Sequence, residues 1–303
     1  MIVSSYKISQ FDIFYISYDE PNAEKNWADL LSKAPWAKRV HGVKGFDEAH
    51  RTCGRSATTH RTVTVDGDNI VEKAFFDQSI VIGAAQENFV FSWSANNIVN
   101  GLQYGNGGLK LWPKAVLENL SSHEYSNSSS AVDFCWDLNY FQMNNCYSQV
   151  HPNETPFQAF RAGFREGVKM TLDRGEKFKD RIQFFNKIHR GNYQRLCIWC
   201  SVGADVDNGL WAIYGARLGC YMTNLTDWDF SLIKDYDWFE QFWQKFAEYS
   251  KERLTEENAQ LGVKLRDNLK LSVVDLDSDQ SRFIKYTYIN PLRRGVMTPE
   301  VVI

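Results

Sequence analysis

The sequence lacks several features that would assign a class of protein at once. No stretch is apolar and long enough to cross a membrane, and the N-terminus has no charged segment followed by an apolar one. No internal repeat or low-complexity tract is present. We therefore expect a cytoplasmic protein that makes no membrane contact and forms one large or two modest domains.

A strong charge of either sign is also missing. The 303 residues carry 34 Lys and Arg against 37 Asp and Glu, which gives a net charge of −3. A global basic field of the kind that drives non-specific nucleic-acid binding is excluded, so any nucleic-acid partner must be held by a local basic patch.

Cysteine is sparse and scattered, with 6 residues in the chain. Cys197 and Cys200 have CxxC spacing, but they lie in an apolar run without a second pair. Buried free thiols are therefore favoured over a zinc or redox site.

The N-terminal part alternates between strand-like and helix-like patterns. Residues 11–17, 39–43 and 61–65 are typical of strands, and residues 22–33 and 47–55 of helices, with Asp47 as N-cap of the second helix. This alternation predicts an α/β fold with a parallel sheet wrapped by helices. Ligands bind beyond the carboxyl ends of the strands in such sheets.

The pattern changes after residue 75. We predict strands at residues 79–84, 88–95 and 109–113, a Gly/Asn-rich loop at 100–108, helices at 156–172 and 236–261, and further strands from Lys270. The expected division is a domain of residues 1–225 with a C-terminal helix and strands, 226–303, packed on it, or one continuous domain.

An acidic motif, Asp66-Gly67-Asp68, follows the third predicted strand. Carboxylates at i and i+2 of an extended chain point to the same side, and Gly67 permits a turn between them. Hard oxygen ligands of this kind suit Mg²⁺ or Mn²⁺, which usually bind through one or two carboxylates, phosphate oxygens and water. The alternative is an Asp-Gly turn at the surface.

Four segments, residues 14–22, 65–69, 97–110 and 156–170, resemble glycosyltransferases of the GT-A fold encoded by T-even-like phages. Some of those enzymes attach sugars, arabinose included, to hydroxymethylcytosine in phage DNA. The resemblance covers roughly residues 10–220. It implies a GT-A-like, Rossmann-type mixed sheet flanked by helices, with a helical and strand-bearing C-terminal part.

The resemblance also implies a donor site. Ser17, Tyr18 and Asp19 would hold the nucleoside, with Tyr18 against the base. Asp66 would contact ribose or metal beside Gly67, Asp68 would ligate the metal, and His151 would be a further metal ligand. Arg55 could reach the diphosphate, or it could be a solvated helix end.

A glycine-rich loop precedes the strand predicted at residues 109–113. In the GT-A fold such a loop lies between donor sugar and acceptor, which implies that role for Gly107 and Gly108. Asn97 and Asn100 could bond sugar hydroxyls, and Lys110 could bind acceptor or phosphate. The alternative is a flexible hairpin.

Two further sets of residues could act on the acceptor. An inverting reaction needs a base, for which Asp133 is preferred to Asp137; a retaining reaction needs neither. Arg161, Arg165 and Lys169 fall at i, i+4 and i+8 of a predicted helix, where they could bind a diphosphate or a DNA backbone, or form a solvated face. A second basic spot, Arg293 and Arg294, has the same alternatives.

With this resemblance, the residues above imply a transferase that uses Mn²⁺ or Mg²⁺ and a UDP-sugar, with arabinose favoured. The expected acceptor is 5-hydroxymethylcytosine in double-stranded phage DNA, in the host cytoplasm. The alternatives are a transferase acting on a polysaccharide or other glycan, and a non-catalytic phage protein that retained the fold.

Overall fold

The structure, a computed structural model, describes residues 3–105, 107–126, 132–133, 135, 138–173 and 175–289. The strands within these ranges are β1 Val3–Lys7, β2 Asp12–Ser17, β3 Lys38–His41, β4 Arg61–Asp66, β5 Asn69–Val71, β6 Ser79–Gly83, β7 Val90–Asn97, β8 Gln103–Tyr104, β9 Lys110–Pro113, β10 Tyr140–Val150, β11 Leu172–Asp173 and β12 Glu176–Lys177. The α-helices are α1 Ala23–Lys33, α2 Phe46–Ser56, α3 Lys114–Glu118, α4 Pro156–Lys169, α5 Arg181–Lys187, α6 Arg190–Trp199, α7 Gly209–Leu225, α8 Tyr236–Trp243, α9 Lys251–Leu269 and α10 Ser278–Ile284.

The central sheet is mixed, with strand order β3-β2-β4-β9-β7-β10-β5 and β8 paired to β7. Strand β2 is parallel to β3 and β4, β9 is antiparallel to β4 and β7, and β10 is parallel to β7. The expected α/β architecture with helices beside a mixed sheet is confirmed at this level. A separate two-stranded sheet joins β1 to β6.

The sheet is strongly curled around the acidic motif. Strands β4 and β5 are separated by only Gly67 and Asp68, yet β9, β7 and β10 stand between them in the sheet. In a flat sheet those four spacings would set the two strands about 19 Å apart. Three Cα steps span at most about 11 Å. The acidic motif therefore lies where the two ends of the curled sheet approach each other.

The predicted N-terminal alternation is confirmed by β2, α1, β3, α2 and β4, but the predicted cap of α2 is wrong. Gly45, with φ +99°, is the N-cap, because the chain turns there through backbone angles that favour glycine. Asp47 is the second residue after this cap and is fully buried. Its carboxylate accepts hydrogen bonds from the backbone N–H groups of Ser122, His123 and Tyr125 instead.

The long helix predicted at residues 236–261 is also wrong, because α8 and α9 are separate. Ser250 begins α9 by accepting a hydrogen bond from the backbone N–H of Arg253. The break turns Phe246 inward, with ring centroids 5.3 Å from Phe160 and 5.5 Å from Tyr214. Packing of these aromatic rings overrides the helical spacing that the sequence shows.

The C-terminal region is helical where strands were predicted. Helix α10 is followed by a π-helix, Lys285–Ile289. The buried Lys285 ammonium pairs with Asp205 at 2.8 Å and donates to the carbonyl of Ile98 at 3.1 Å, which ties this region to the preceding core. Arg293 and Arg294 lie outside the described residues. The helix predicted at residues 156–172 ends at Lys169, and Leu172 enters β11.

Helices α4 and α7 pack backbone to backbone through four glycines. A Cβ on Gly163 would lie 1.9 Å from the carbonyl oxygen of Ala212, and one on Gly215 would lie 2.1 Å from that of Phe160. Gly167 and Gly219 are crowded in the same way. The close packing fixes α4, which carries Arg161 and Arg165, against the helical core.

The hydrophobic core of the helical half contains residues from Val99 to Val273. It includes Ala212 and Leu261, which lie on either side of the domain boundary expected at residue 225. All six cysteines are free thiols, four of them buried. Within the described ranges, no helix combines the length and the apolar character needed to span a bilayer.

Candidate functional site

A cavity of about 380 Å³ opens at the carboxyl ends of β2 and β4 and is bounded by α4. This is the edge of the sheet at which an α/β fold binds ligands. The cavity brings together most of the residues that the sequence singled out. Those lining it are Ser17, Tyr18, Asp19, Asp66, Gly67, Asp68, Asn97, Gly107, Lys110, Asp133, Arg161, Arg165 and Lys169.

The acidic turn is anchored through its backbone. The Tyr15 hydroxyl donates to the carbonyl of Gly67 at 2.6 Å, and the Asn26 amide donates to the same oxygen at 3.0 Å. The backbone N–H of His151 donates to the carbonyl of Asp68 at 2.8 Å. Because main-chain bonds hold the turn, the aspartate side chains are not needed to fix it, although the Asp68 carboxylate also accepts from the Asn69 side-chain amide at 2.8 Å.

A third carboxylate, which the sequence reading missed, lies beside the pair. The Glu20 carboxylate accepts from the backbone N–H of Tyr18 at 2.8 Å, and it lies 2.8 Å from the place of a Cβ on Gly67. Burial, and then the negative charge of Asp66, raise the pKa of Glu20. Burial, Asp66 and Glu20 likewise raise the pKa of Asp68 to about 7.

These carboxylates fit a divalent cation in one specific way. Burial and the charge of neighbouring carboxylates oppose ionisation of Asp68 and Glu20, and a cation would offset that opposition. Within the described ranges, no group of three or more His, Cys, Asp or Glu side chains is arranged around one ion position. A cation bound here would therefore need phosphate oxygens and water in addition to Asp66 and Asp68, which is the kind of ligand set that Mg²⁺ and Mn²⁺ accept.

Gly108 does not line the cavity, but it sets the position of Asp66. A Cβ on Gly108 would lie 2.0 Å from the carboxyl carbon of Asp66. The neighbouring Gly107 is crowded by Ala95, whose Cβ would lie 2.4 Å away. The glycine pair is thus needed for close packing of this loop on β7 and on the acidic motif, rather than for a flexible hairpin.

We expect Gly108→Ala to displace the Asp66 carboxylate and to weaken binding of UDP with Mn²⁺ by about 10- to 100-fold, the scale seen when the support of a metal ligand is lost. Calorimetric titration with UDP and Mn²⁺ measures this. Gly191→Ala is the matched control, because the atoms nearest to its Cβ would belong to the His189 and Arg195 side chains, at 3.3 Å or more. Equal binding by both variants would contradict the role given to Gly108.

The basic stripe of α4 divides into two kinds of residue. Lys169 is neutralised by Glu166 at 2.6 Å and Asp133 at 3.3 Å. Arg161 and Arg165 have no ion pair with any residue that the structure describes. Both are half-buried at the cavity, which leaves two neighbouring guanidinium groups for an anion.

The surroundings hold these two arginines in place. The Arg161 guanidinium lies 4.0 Å from the ring centroid of Tyr236, and Arg165 donates to the carbonyl of Ile233 at 3.3 Å. Burial, and then the charge of Arg161, lower the pKa of Arg165. A bound anion would relieve the repulsion between the two cations.

Asp133 lies in the cavity as an ionised side chain. Burial opposes its charge, but Lys169 and His123 outweigh burial and lower the pKa of Asp133 to about 2. The carboxylate can accept a proton or a hydrogen bond across the physiological range, although its proton affinity is low. Asp137 lies outside the described residues.

The cavity is lined by His50 and His123 and not by His151, the histidine that the sequence favoured. His151 contacts the acidic turn through its backbone N–H, and burial lowers the pKa of its ring. Burial lowers the pKa of His50 to about 4, and the carbonyl of Phe46 accepts from its Nδ1 at 2.8 Å, so its ring is neutral. The sequence did contain one signal for the position of His50: Phe46, His50 and Cys53 are spaced so that they share one face of α2.

Two other predicted residues lie away from the cavity. Arg55 pairs with Glu48 on the exposed side of α2. Asn100 is fully buried, and its side-chain oxygen accepts from the backbone N–H of Leu102 at 3.1 Å. Asn97 lines the cavity but uses its side-chain oxygen in the same way, on Val99 at 2.9 Å. These asparagines therefore shape the loop.

Ser17, Tyr18 and Asp19, which the sequence reading expected to hold a nucleoside, line the cavity. Tyr18 is 38% exposed there, so its ring is accessible to a planar ligand. Ser17 is buried, and its hydroxyl accepts from Arg39 at 2.9 Å beside His41 at 3.0 Å.

No model of a known protein family matches the chain, and a search of curated proteins finds no match.

Proposed function

We propose that the chain is a metal-dependent glycosyltransferase that takes a UDP-sugar as donor. One observation carries the proposal: one cavity is lined by the anchored pair Asp66 and Asp68 and by Arg161 and Arg165, which form no ion pair with the residues that the structure describes. A diphosphate needs positive charge on both sides, from a cation held by carboxylates and from guanidinium groups. The cavity volume of about 380 Å³ is within the range of small-molecule sites.

In the proposed complex, Tyr18 packs against the base at the mouth and Asp66 and Asp68 point toward the diphosphate. The cation that they would hold, Mn²⁺ or Mg²⁺, would neutralise negative charge on the departing diphosphate. Arg161 and Arg165 bind the phosphate oxygens, and α4 keeps them in place through its close packing on α7.

The chemical step depends on stereochemistry. In an inverting reaction, the acceptor oxygen forms a bond to the anomeric carbon, the bond from that carbon to the diphosphate breaks, and Asp133 takes the hydroxyl proton. The low pKa of Asp133 makes it a weak base, so most of the rate acceleration would come from charge neutralisation and positioning. A retaining reaction does not need this base.

The acceptor that we propose is 5-hydroxymethylcytosine in duplex DNA, with arabinose as the favoured sugar, on the resemblance of residues 14–22, 65–69, 97–110 and 156–170 to phage enzymes. A duplex base must leave the stack to reach a donor in a cavity. A glycan acceptor is the second candidate, and the net charge of −3 favours it.

Thermal melting tests the donor site. A ligand present at about 100 times its dissociation constant stabilises a protein by about 2.7 kcal/mol. We therefore expect UDP with Mn²⁺ to raise the melting temperature of the wild type clearly, and UDP alone to raise it less. An unchanged melting temperature would contradict the proposed donor.

The acceptor is tested by incubation with several UDP-sugars and with duplexes that contain hydroxymethylcytosine or cytosine. Mass spectrometry should show one added sugar per modified base and none on the plain duplex. Binding of UDP without any sugar on DNA would leave the glycan acceptor as the preferred one.

A further inference from the structure

A locally basic segment lies outside the cavity, in a chain whose net charge is negative. Residues 177–195 contain six Lys or Arg and one Asp. The single acid, Asp180, caps α5 by accepting from the backbone N–H groups of Ile182 and Gln183. This concentration of charge is the local patch that a nucleic-acid partner would require.

Four of these cations are exposed and have no ion pair with any residue in the described part of the chain: Lys179, Arg181, Lys187 and Arg190. Unpaired surface cations of this density attract phosphate groups and release condensed counterions on binding.

Two large apolar side chains stand among these cations. Ile182 is 66% exposed and Phe185 is 57% exposed, and both belong to α5. Residues at i and i+3 lie on the same side of a helix, so the two side chains form one small apolar projection. Side chains of these types insert between base steps in complexes that distort DNA.

The segment is joined to the cavity by α6. This helix begins at Arg190 and ends at Trp199, which lines the cavity and donates to the hydroxyl of Tyr104 at 2.8 Å. The first and last residues of this ten-residue helix are nine rises apart, which is about 14 Å. This is the length of about four base pairs at ~3.4 Å per pair along each strand.

We propose that the α5–α6 surface, formed by Lys179, Arg181, Lys187, Arg190, Ile182 and Phe185, docks double-stranded DNA next to the cavity. The four cations bind phosphates, and Phe185 with Ile182 contacts the bases near the nucleotide that leaves the stack. This assignment rests on the proposed function only for the consequence that the docked DNA is the acceptor.

An anionic membrane is the other polyanionic surface to consider. Stable interfacial binding requires a large apolar helix face or two anchoring signals. Helix α5 has 7 residues and exposes two apolar side chains, which is too little for that purpose. The excess of cations over apolar groups, and the distance to the cavity, fit a phosphate backbone.

The test is fluorescence anisotropy with a labelled DNA duplex, between about 50 and 200 mM salt. The variant Lys179→Gln/Arg181→Gln/Lys187→Gln should bind at least about tenfold more weakly than the wild type. Its slope of log affinity against log salt should fall by about 2.7, at about 0.9 per lost phosphate contact. Phe185→Ala should weaken binding without changing that slope.

The matched control is Lys7→Gln/Lys73→Gln/Lys251→Gln, which removes the same charge from exposed positions elsewhere. Its affinity should stay within about twofold of the wild type. Equal loss in both triple variants, or wild-type affinity and slope in the α5 variant, would overturn the proposal. The proposal would also be overturned if the α5 variant lost binding to phosphatidylserine vesicles but kept its binding to DNA.

Two further measurements separate this surface from the donor site. The α5 triple variant should keep the melting shift with UDP and Mn²⁺, and Asp68→Ala should keep full affinity for the duplex. A wild type that binds DNA through α5 but shows no UDP shift would leave the docking surface standing and contradict the proposed donor.

Discussion

Asp68→Asn should abolish the response to UDP and Mn²⁺ and lower the rate of the proposed sugar transfer by about 100- to 1000-fold, since a metal ion supplies several kcal/mol of charge stabilisation in such reactions. The fold should survive. The substitution keeps the shape of the side chain, and the turn is held through the carbonyls of Gly67 and Asp68.

The variant should also melt a few degrees higher than the wild type when neither metal nor nucleotide is present. Asp66, Asp68 and Glu20 repel one another in a partly buried place, and the amide removes one of these charges. Gain of stability together with loss of ligand response is the sign of a binding site. Differential scanning fluorimetry with and without UDP and Mn²⁺ measures both.

The control for this prediction is Asp77→Asn, an exposed aspartate outside the cavity. It should respond to UDP and Mn²⁺ as the wild type does. A ligand shift that persists in Asp68→Asn would remove Asp68 from the donor site. A variant that melts well below the wild type would show that Asp68 is structural.

The part of the fold that could be predicted from sequence is the part governed by local periodicity. Strands β2, β3 and β4 were recognisable from short apolar runs, and α1 and α2 from helical spacing between them. The position of the acidic motif at a strand end followed from the same reading. These features depend on residues close in the chain.

The predictions that were wrong concern features that depend on long-range packing. The sequence around residue 246 continues the helical spacing of α8, and only the contacts of Phe246 with Phe160 and Tyr214 explain why the helix stops. The curl that brings β4 and β5 together is likewise absent from local patterns, because it is set by the pairing of β10 with both β5 and β7.

Ion-pair partners and contacts between distant segments also determine which candidate site residues could bind a ligand. Arg161, Arg165 and Lys169 look equivalent in the sequence, yet Glu166 and Asp133 neutralise only Lys169. His50 lies on α2 and His123 in the segment that follows α3, and both line the cavity. The spacing of residues in the sequence does not show that these two segments are in contact. Ion pairs and contacts between distant segments carry this information.

The meeting of those two segments depends on Asp47, and its substitution should have the largest effect on stability. The buried carboxylate accepts from the backbone N–H groups of Ser122 at 3.0 Å, His123 at 2.8 Å and Tyr125 at 3.0 Å. Asp47→Ala leaves these donors without a partner, at about 1–3 kcal/mol each where burial is complete. We expect about 3–5 kcal/mol less free energy of unfolding, measured by urea titration at neutral pH.

The pH dependence of this loss has a definite sign. Burial acts to raise the pKa of Asp47, but the three backbone N–H groups outweigh it and lower the pKa below the unfolded value of about 3.9. A lowered pKa contributes stability above about pH 4, and that contribution is lost as the pH falls through the folded-state pKa. The gap between wild type and Asp47→Ala should therefore be widest near neutrality and should shrink in acid.

Glu48→Ala is the matched control, since Glu48 is the next residue of α2 and its partly exposed carboxylate pairs with Arg55 and accepts from the exposed Tyr125 hydroxyl at 3.2 Å. Exposed pairs contribute about 0–1 kcal/mol, so this variant should unfold within that margin of the wild type. An Asp47→Ala variant no less stable than Glu48→Ala would show that the Ser122–Tyr125 contacts do not support the fold. A loss that stays constant into acid would place its cause outside the ionised carboxylate.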